Sequence, residues 1–201
     1  TFYMKKIETI WHHILWLALH EKEFKHTQKS IAEHFKYSLS TVNLAVKQLA
    51  LISAIDIRCK FFVVKDVKKI LMFWATHRNI YKSVIYETNV NEAIHEIEGL
   101  VPADAILGGY TAVKYILTEL PADYSKVYLY VDEAKIEETK KRFPKTTGTP
   151  NLIVLKTYPK QFEYGNSTSL PQTFVDIWNM NDWYAKDFLQ ELERKVDDIL
   201  S

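Results

Sequence analysis

Residues 27–52, TQKSIAEHFKYSLSTVNLAVKQLALI, constrain the fold more than any other stretch. Ile31, Ala32 and Phe35 form one apolar set, and Val42, Ala45, Val46 and Leu49 form a second. Each repeats at three or four residues, as one face of a helix does. Thr27 and Ser40 precede the two sets, and a hydroxyl there can accept a bond from an unpaired backbone N–H, so both are expected N-caps. The interval 36–39 is too short for anything but a turn. Two short helices joined this way predict a helix-turn-helix. The second leaves Thr41, Asn43, Lys47 and Gln48 off its apolar stripe, and donor-rich side chains of this kind reach base edges and phosphates. The competing reading is a helix pair that makes only protein contacts.

The flanking segments favour DNA. Residues 6–21 carry Ile7, Ile10, Trp11, Ile14, Leu15 and Ala18 on one side and predict a first helix, with 23–26 as a connection. Residues 55–57 and 61–64 read as two short strands around Arg58-Cys59-Lys60. Three helices followed by a basic-tipped hairpin is the order of a winged helix, predicted over residues 5–78. Ser40, Thr41, Asn43 and Lys47 are expected in the major groove, Asn43 on an adenine edge and Lys47 on guanine or phosphate. Arg58 and Lys60 are expected to hold the backbone, and Thr27, Gln28 and Ser38 complete the DNA-binding set. One such domain buries too little duplex for tight, selective binding, so a homodimer on paired half-sites is expected.

Charge is distributed in keeping with this. The net charge of +1 divides into 14 Lys+Arg against 10 Asp+Glu in residues 1–100, and 12 against 15 in residues 101–201. Between Lys22 and Lys82 there are 12 basic and 4 acidic residues. A basic segment beside an acidic one fits a chain that touches phosphates with its first half. A solvated basic face is the alternative. No apolar run is long enough to cross a membrane. Lys5 and Lys6 lead into an amphipathic segment rather than an apolar signal-peptide core, and Cys59 is the sole cysteine, so a cytoplasmic location is expected.

From residue 79 onward the pattern becomes mixed. Strands are expected at 82–86, 126–131 and 151–158. Helices are expected at 91–100, 110–120, 134–143, 171–179 and 182–200, with a polar loop over 158–170; an earlier one, capped by Asp66 and running to about His77, closes the first part or bridges to the second. Gly108-Gly109 before a helix invites a nucleotide-binding reading, because small residues there let phosphates approach backbone N–H groups. The pair matches neither a P-loop nor a dinucleotide fingerprint, so a tight turn with close helix packing is the favoured reading.

Gly108-Gly109-Tyr110-Thr111-Ala112, then Tyr128-Leu129-Tyr130-Val131-Asp132, resembles the opening of a nucleotidyltransferase fold. Active members of that superfamily follow the glycine pair with two carboxylates alternating along a strand, where they hold divalent metals. Here Asp132 is kept, but Tyr130 stands at the first carboxylate position. Glu133 cannot replace it, since adjacent strand residues point to opposite faces. The resemblance implies a retained fold with lost catalysis. The order of TQKSIAEHFKYSLSTVNLAVKQL, ILMFWATHRNI, GGYTAVKYIL and LPQTFVDIWNMNDWYAKDFLQELE also resembles the AbiEi-type antitoxins and related archaeal transcriptional regulators. That resemblance implies an α+β chain: a winged helix-turn-helix, then a degenerate nucleotidyltransferase-like domain over 79–201 with a C-terminal helical pair. It implies an autorepressor whose second part antagonises a cognate toxin protein. The glycine common after a recognition helix is absent, with Ser53-Ala54 in its place.

Other constellations are weaker. His12, His13, His20, His26 and His34 lack ligand spacing with a Cys or carboxylate and are expected at the surface or facing DNA. Cys59 has no catalytic histidine in view. Trp178, Trp183 and Tyr184 are expected to pack between the last two helices. The chain is therefore expected to be a non-enzymatic regulator with no cofactor and no metal. An active nucleotidyltransferase and a toxin-neutralising interaction module are the alternatives.

Overall fold

The computed structural model describes residues 4–201. It is a mixed α+β structure with two small sheets. Helix α1 (Lys6–Trp16) continues through a widened turn at Leu17–Glu21 and stops at Lys22, which takes a left-handed φ of 58°. Strand β1 (Lys25–His26) lies where only a connection is expected from the sequence. Helices α2 (Gln28–Phe35) and α3 (Leu39–Leu51) follow, then strands β2 (Ile55–Ile57) and β3 (Phe62–Val64) and helix α4 (Val67–His77). The first sheet has the order β1-β3-β2 and is antiparallel throughout, with Lys25 opposite Val63 and Ile57 opposite Phe62.

The caps explain where these helices begin. Thr27 accepts from the Ser30 N–H at 3.0 Å, and Asp66 accepts from the Lys69 N–H at 2.9 Å. The cap of α3 is Ser38 and not Ser40: the Ser38 hydroxyl accepts from the Thr41 N–H at 3.2 Å, and the helix already runs at Leu39. The apolar repeat from Val42 onward is the same with either serine as cap, so periodicity could not separate them. Beyond α3, Ser53 adopts a φ of 58°. The Ser53 N–H reaches the Ala50 carbonyl at 2.9 Å, and the Ala54 N–H reaches that of Leu49 at 3.0 Å. The turn a glycine usually makes is thus made by a serine.

The second sheet comprises β4 (Val84–Thr88), β5 (Ile106–Gly108), β6 (Val127–Val131) and β7 (Leu152–Lys156), in the order β4-β7-β6-β5. β6 and β7 are parallel and the outer pairs antiparallel. Helices α5 (Ile94–Gly99) and α7 (Ile136–Arg142) lie on one side; α6 (Gly109–Val113), α8 (Leu170–Trp178) and α9 (Ala185–Leu200) lie on the other. All five residues of β6 are buried. Val127, Leu129 and Val131 join Ile97 and Phe143, whereas Tyr128 and Tyr130 join Phe174 and Phe188. This is the period-two alternation of a strand covered on both faces.

Several expected elements differ in their bounds, two of them for a visible reason. The strand expected at 82–86 begins at Val84, because Ile80–Ser83 forms a single tight helical turn. The helix expected at 110–120 is only Gly109–Val113. Beyond it, the Tyr115 and Ile116 N–H groups bond the carbonyls of Ala112 and Val113, three residues back, which tightens the chain and ends the helix. The apolar core is continuous across residue 78: Ile10, Trp11, Ile14 and Trp74 share one cluster with Phe174 and Phe188. Among the described residues no helix is long and apolar enough to cross a membrane.

Candidate nucleic-acid interface

The inner face of α3 is fixed by burial. Val42, Ala45, Val46 and Leu49 are fully buried, and the Trp11 indole N–H donates to the Ala45 carbonyl at 3.1 Å, tying α3 to α1. That orientation turns Ser40, Leu44, Lys47 and Leu51 outward, at intervals of four, three and four residues, as one exposed stripe. Leu44 is 52% exposed. Lys47 makes no hydrogen bond or ion pair among the described residues.

The structure places the expected contact residues unequally. Ser38 is engaged by the cap and by the hydroxyls of Ser40 (2.9 Å) and Thr41 (2.8 Å). Thr27 is likewise a cap, exposed on its outer side. Asn43 is half-buried, and its side-chain N–H donates to Gln28 Oε1 at 3.1 Å, so these two residues clip α3 to α2. Thr41 and Gln48 are half-buried as well. On the hairpin, Arg58 and Lys60 are both exposed. Arg58 pairs with Asp56 at 2.5 Å, and its N–H reaches the Phe61 carbonyl at 2.8 Å. The Lys25 ammonium stands over the Phe61 ring at 4.1 Å, holding β1 to the hairpin beside α2. Leu44 is an outward apolar residue that a search by polarity overlooks, as are Leu39 and Leu51 at the ends of α3. The signal for Leu44 is its place one turn from both Ser40 and Lys47.

The histidines expected at the surface are largely interior. His12 and His13 follow one another on α1, and both are buried. The Tyr158 hydroxyl donates to Gln172 at 2.9 Å, so its oxygen accepts the His12 Nδ1 proton at 2.8 Å; His12 Nε2 then accepts from the Ser169 hydroxyl at 2.7 Å. Burial holds His12 well below the ordinary histidine range. His13 bonds the Tyr164 hydroxyl at 3.0 Å and stacks on His34 of α2 at 4.2 Å between centroids. Burial first, then neighbouring His34, pushes its pKa down to about 3. His34 Nε2 in turn lies 3.1 Å from the Glu163 carboxylate. These side chains form a belt joining the segment 158–169 to α1 and α2.

At the glycine pair, neighbouring side chains pack closely against the backbone, where a larger residue's Cβ would stand. A Cβ on Gly109, at φ 53°, would meet Tyr128 Cδ2 at 3.0 Å and Met180 Cε at 3.1 Å. One on Gly108 would meet the Tyr130 ring at 3.2 Å. Tyr130 is fully buried; its hydroxyl donates to Asp176 at 2.6 Å and accepts from Arg78 at 3.0 Å. Arg78 also donates to Asp176 at 3.1 Å and to Ser83 at 3.2 Å. Burial pushes the Asp176 carboxyl upward, with Arg78 and Tyr130 pulling it back. Asp132 lies beyond the end of β6, exposed, accepting from the Ala134 N–H at 3.0 Å.

Among the described residues no group of three or more His, Cys, Asp or Glu side chains is placed to hold a metal ion. Cys59 is exposed. The expected packing of Trp178, Trp183 and Tyr184 holds only for Tyr184: Trp183 is 85% exposed and Trp178 44%. Comparison of the chain with family models, with curated proteins and with solved structures finds no match.

Proposed function

We propose that the chain is a DNA-binding transcriptional regulator, built from a winged helix-turn-helix and a degenerate nucleotidyltransferase-like part, acting on its own operon in the cytoplasm. One observation carries this reading. The element order α1-β1-α2-α3-β2-β3, with β1 pairing β3, supports a winged-helix reading, and it leaves the outer stripe of α3 uncovered alongside exposed Arg58 and Lys60 on the hairpin. In this reading Ser40 and Lys47 meet the major groove, and Arg58 and Lys60 the backbone, with Thr27 and Ser38 near phosphates. Asn43 and Gln28 act as a pair that holds α2 and α3 in register. A homodimer on paired half-sites supplies the remaining contact area.

Loss of catalysis is supported by how the second part spends its residues. Tyr130 is committed to Asp176 and Arg78, and Tyr128 and Met180 cover Gly109. A second reading, a surface that neutralises a toxin protein, is favoured by Trp178 and Trp183, since exposed tryptophans are frequent anchors of protein interfaces.

The test is binding to a duplex from the chain's own upstream region against a scrambled duplex. The proposal expects tighter binding to the upstream duplex; equal affinity for both would contradict it. Co-purification with a neighbouring gene product would favour the toxin-binding reading.

A further inference from the structure

We propose that Leu44 reads a thymine methyl group, so that each half-site requires an A·T pair at the position facing the middle of α3. This rests on the DNA reading above. Leu44 stands at the centre of the outward stripe, 52% exposed, with Ser40 one turn before it and Lys47 one turn after. The rest of α3 offers nothing that would repel phosphate: its sequence LSTVNLAVKQLAL contains no acidic residue. The thymine C5-methyl is the one apolar group that base edges present in the major groove. A leucine between a hydroxyl and an ammonium matches a methyl flanked by polar edges and phosphate.

A protein partner fits the same stripe less well. The exposed leucines of α3, Leu39, Leu44 and Leu51, are interrupted by Ser40 and Lys47, and three leucine side chains are a small part of the about 800 Å² per partner that a stable interface buries. The surrounding charge points the same way, with the 12 basic residues between Lys22 and Lys82 outnumbering the 4 acidic ones.

The experiment uses the full chain and a duplex selected from a random pool for tight binding. Each thymine is replaced in turn by deoxyuridine, which removes the methyl and nothing else, and affinity is read by fluorescence anisotropy. One thymine per half-site should show a loss of about four-fold, the worth of burying one methyl group. In Leu44→Ala that loss should disappear, thymine and uracil duplexes binding alike while salt-sensitive binding persists. A thermal melt of Leu44→Ala checks that the variant is folded, and Leu44→Val, which keeps a branched apolar side chain, should retain part of the discrimination.

Three results would overturn the inference. One is duplex binding in which no uracil substitution matters, which leaves the DNA reading standing. Another is a thymine preference that survives in Leu44→Ala. The third is a change of oligomeric mass in Leu44→Ala, which would assign the leucine to a protein contact. Failure to select any duplex would remove the DNA reading itself, and this inference with it.

Discussion

Helix α3 and strand β6 both carry polar side chains, and they treat them in opposite ways. On β6 every residue is buried, and the Tyr130 hydroxyl is bound on both sides, by Asp176 and by Arg78. On α3 the outward stripe of Ser40, Leu44, Lys47 and Leu51 faces solvent, and Lys47 has no internal partner among the described residues. A side chain satisfied inside the fold has little left for a ligand, because breaking a buried hydrogen-bonded pair leaves one group desolvated and alone. The contrast assigns stability to β6 and leaves the outer stripe of α3 free for the recognition role proposed for it.

The largest expected effect comes from Arg78→Met. It leaves the buried Asp176 carboxylate with its Tyr130 hydrogen bond but no cationic partner, and should cost about 3–5 kcal/mol in denaturant unfolding. Lys47→Met on α3 should change stability by no more than about 0.5 kcal/mol. Equal losses at the two sites would break the contrast.

Acid should act through the histidine belt. The folded pKa of His13 lies near 3, below its ordinary 6.5, so the unfolded chain binds more protons between those values. Stability is then fully present above pH 6.5 and falls as pH drops toward 3, by about 1.4 kcal/mol per pH unit for this group. Buried His12 adds a loss in the same direction. In His13→Gln the slope of stability against pH in that window should flatten by this amount. An unchanged slope would show that the belt does not titrate this way.

Smaller effects probe recognition and the turn that follows α3. Lys47→Ala should weaken duplex binding by about 1–3 kcal/mol with the melting temperature preserved. Tyr130→Phe should do the reverse, leaving binding intact while costing about 1–3 kcal/mol of stability. The smallest expected change is a gain: Ser53→Gly relieves the left-handed backbone at φ 58° and should stabilise by up to about 1 kcal/mol, read as a higher melting temperature.

What could be read in advance follows from the range of each interaction. The caps at Thr27 and Asp66, the apolar stripes of α1 to α4 and the hairpin are local, and three- or four-residue patterns carry them. Strand β1 is two residues long and has no periodicity to detect; only its pairing with β3 defines it. Burial of His12 depends on Tyr158 and Ser169, and that of Arg78 on Asp176, partners far along the chain that no local pattern announces. The packing explanation for Gly108-Gly109 was available from the sequence as one of two. The tyrosines that fill the space, two and four residues into the motif of β6, became visible only in three dimensions. At the candidate site, Ser40 and Lys47 lie on the outward stripe, Leu44 between them is apolar and escapes a search by polarity, and Asn43 is held by Gln28, a partner on the preceding helix.

The central claim, that the face of α3 and the adjoining hairpin bind duplex DNA, is tested most directly by a salt titration of duplex affinity for the wild-type chain and Lys60→Ala. The account predicts that log Kobs falls linearly with log salt, and that the slope shrinks by about one on losing the Lys60 phosphate contact. Binding that is insensitive to salt, or a slope identical in the two proteins, would contradict it.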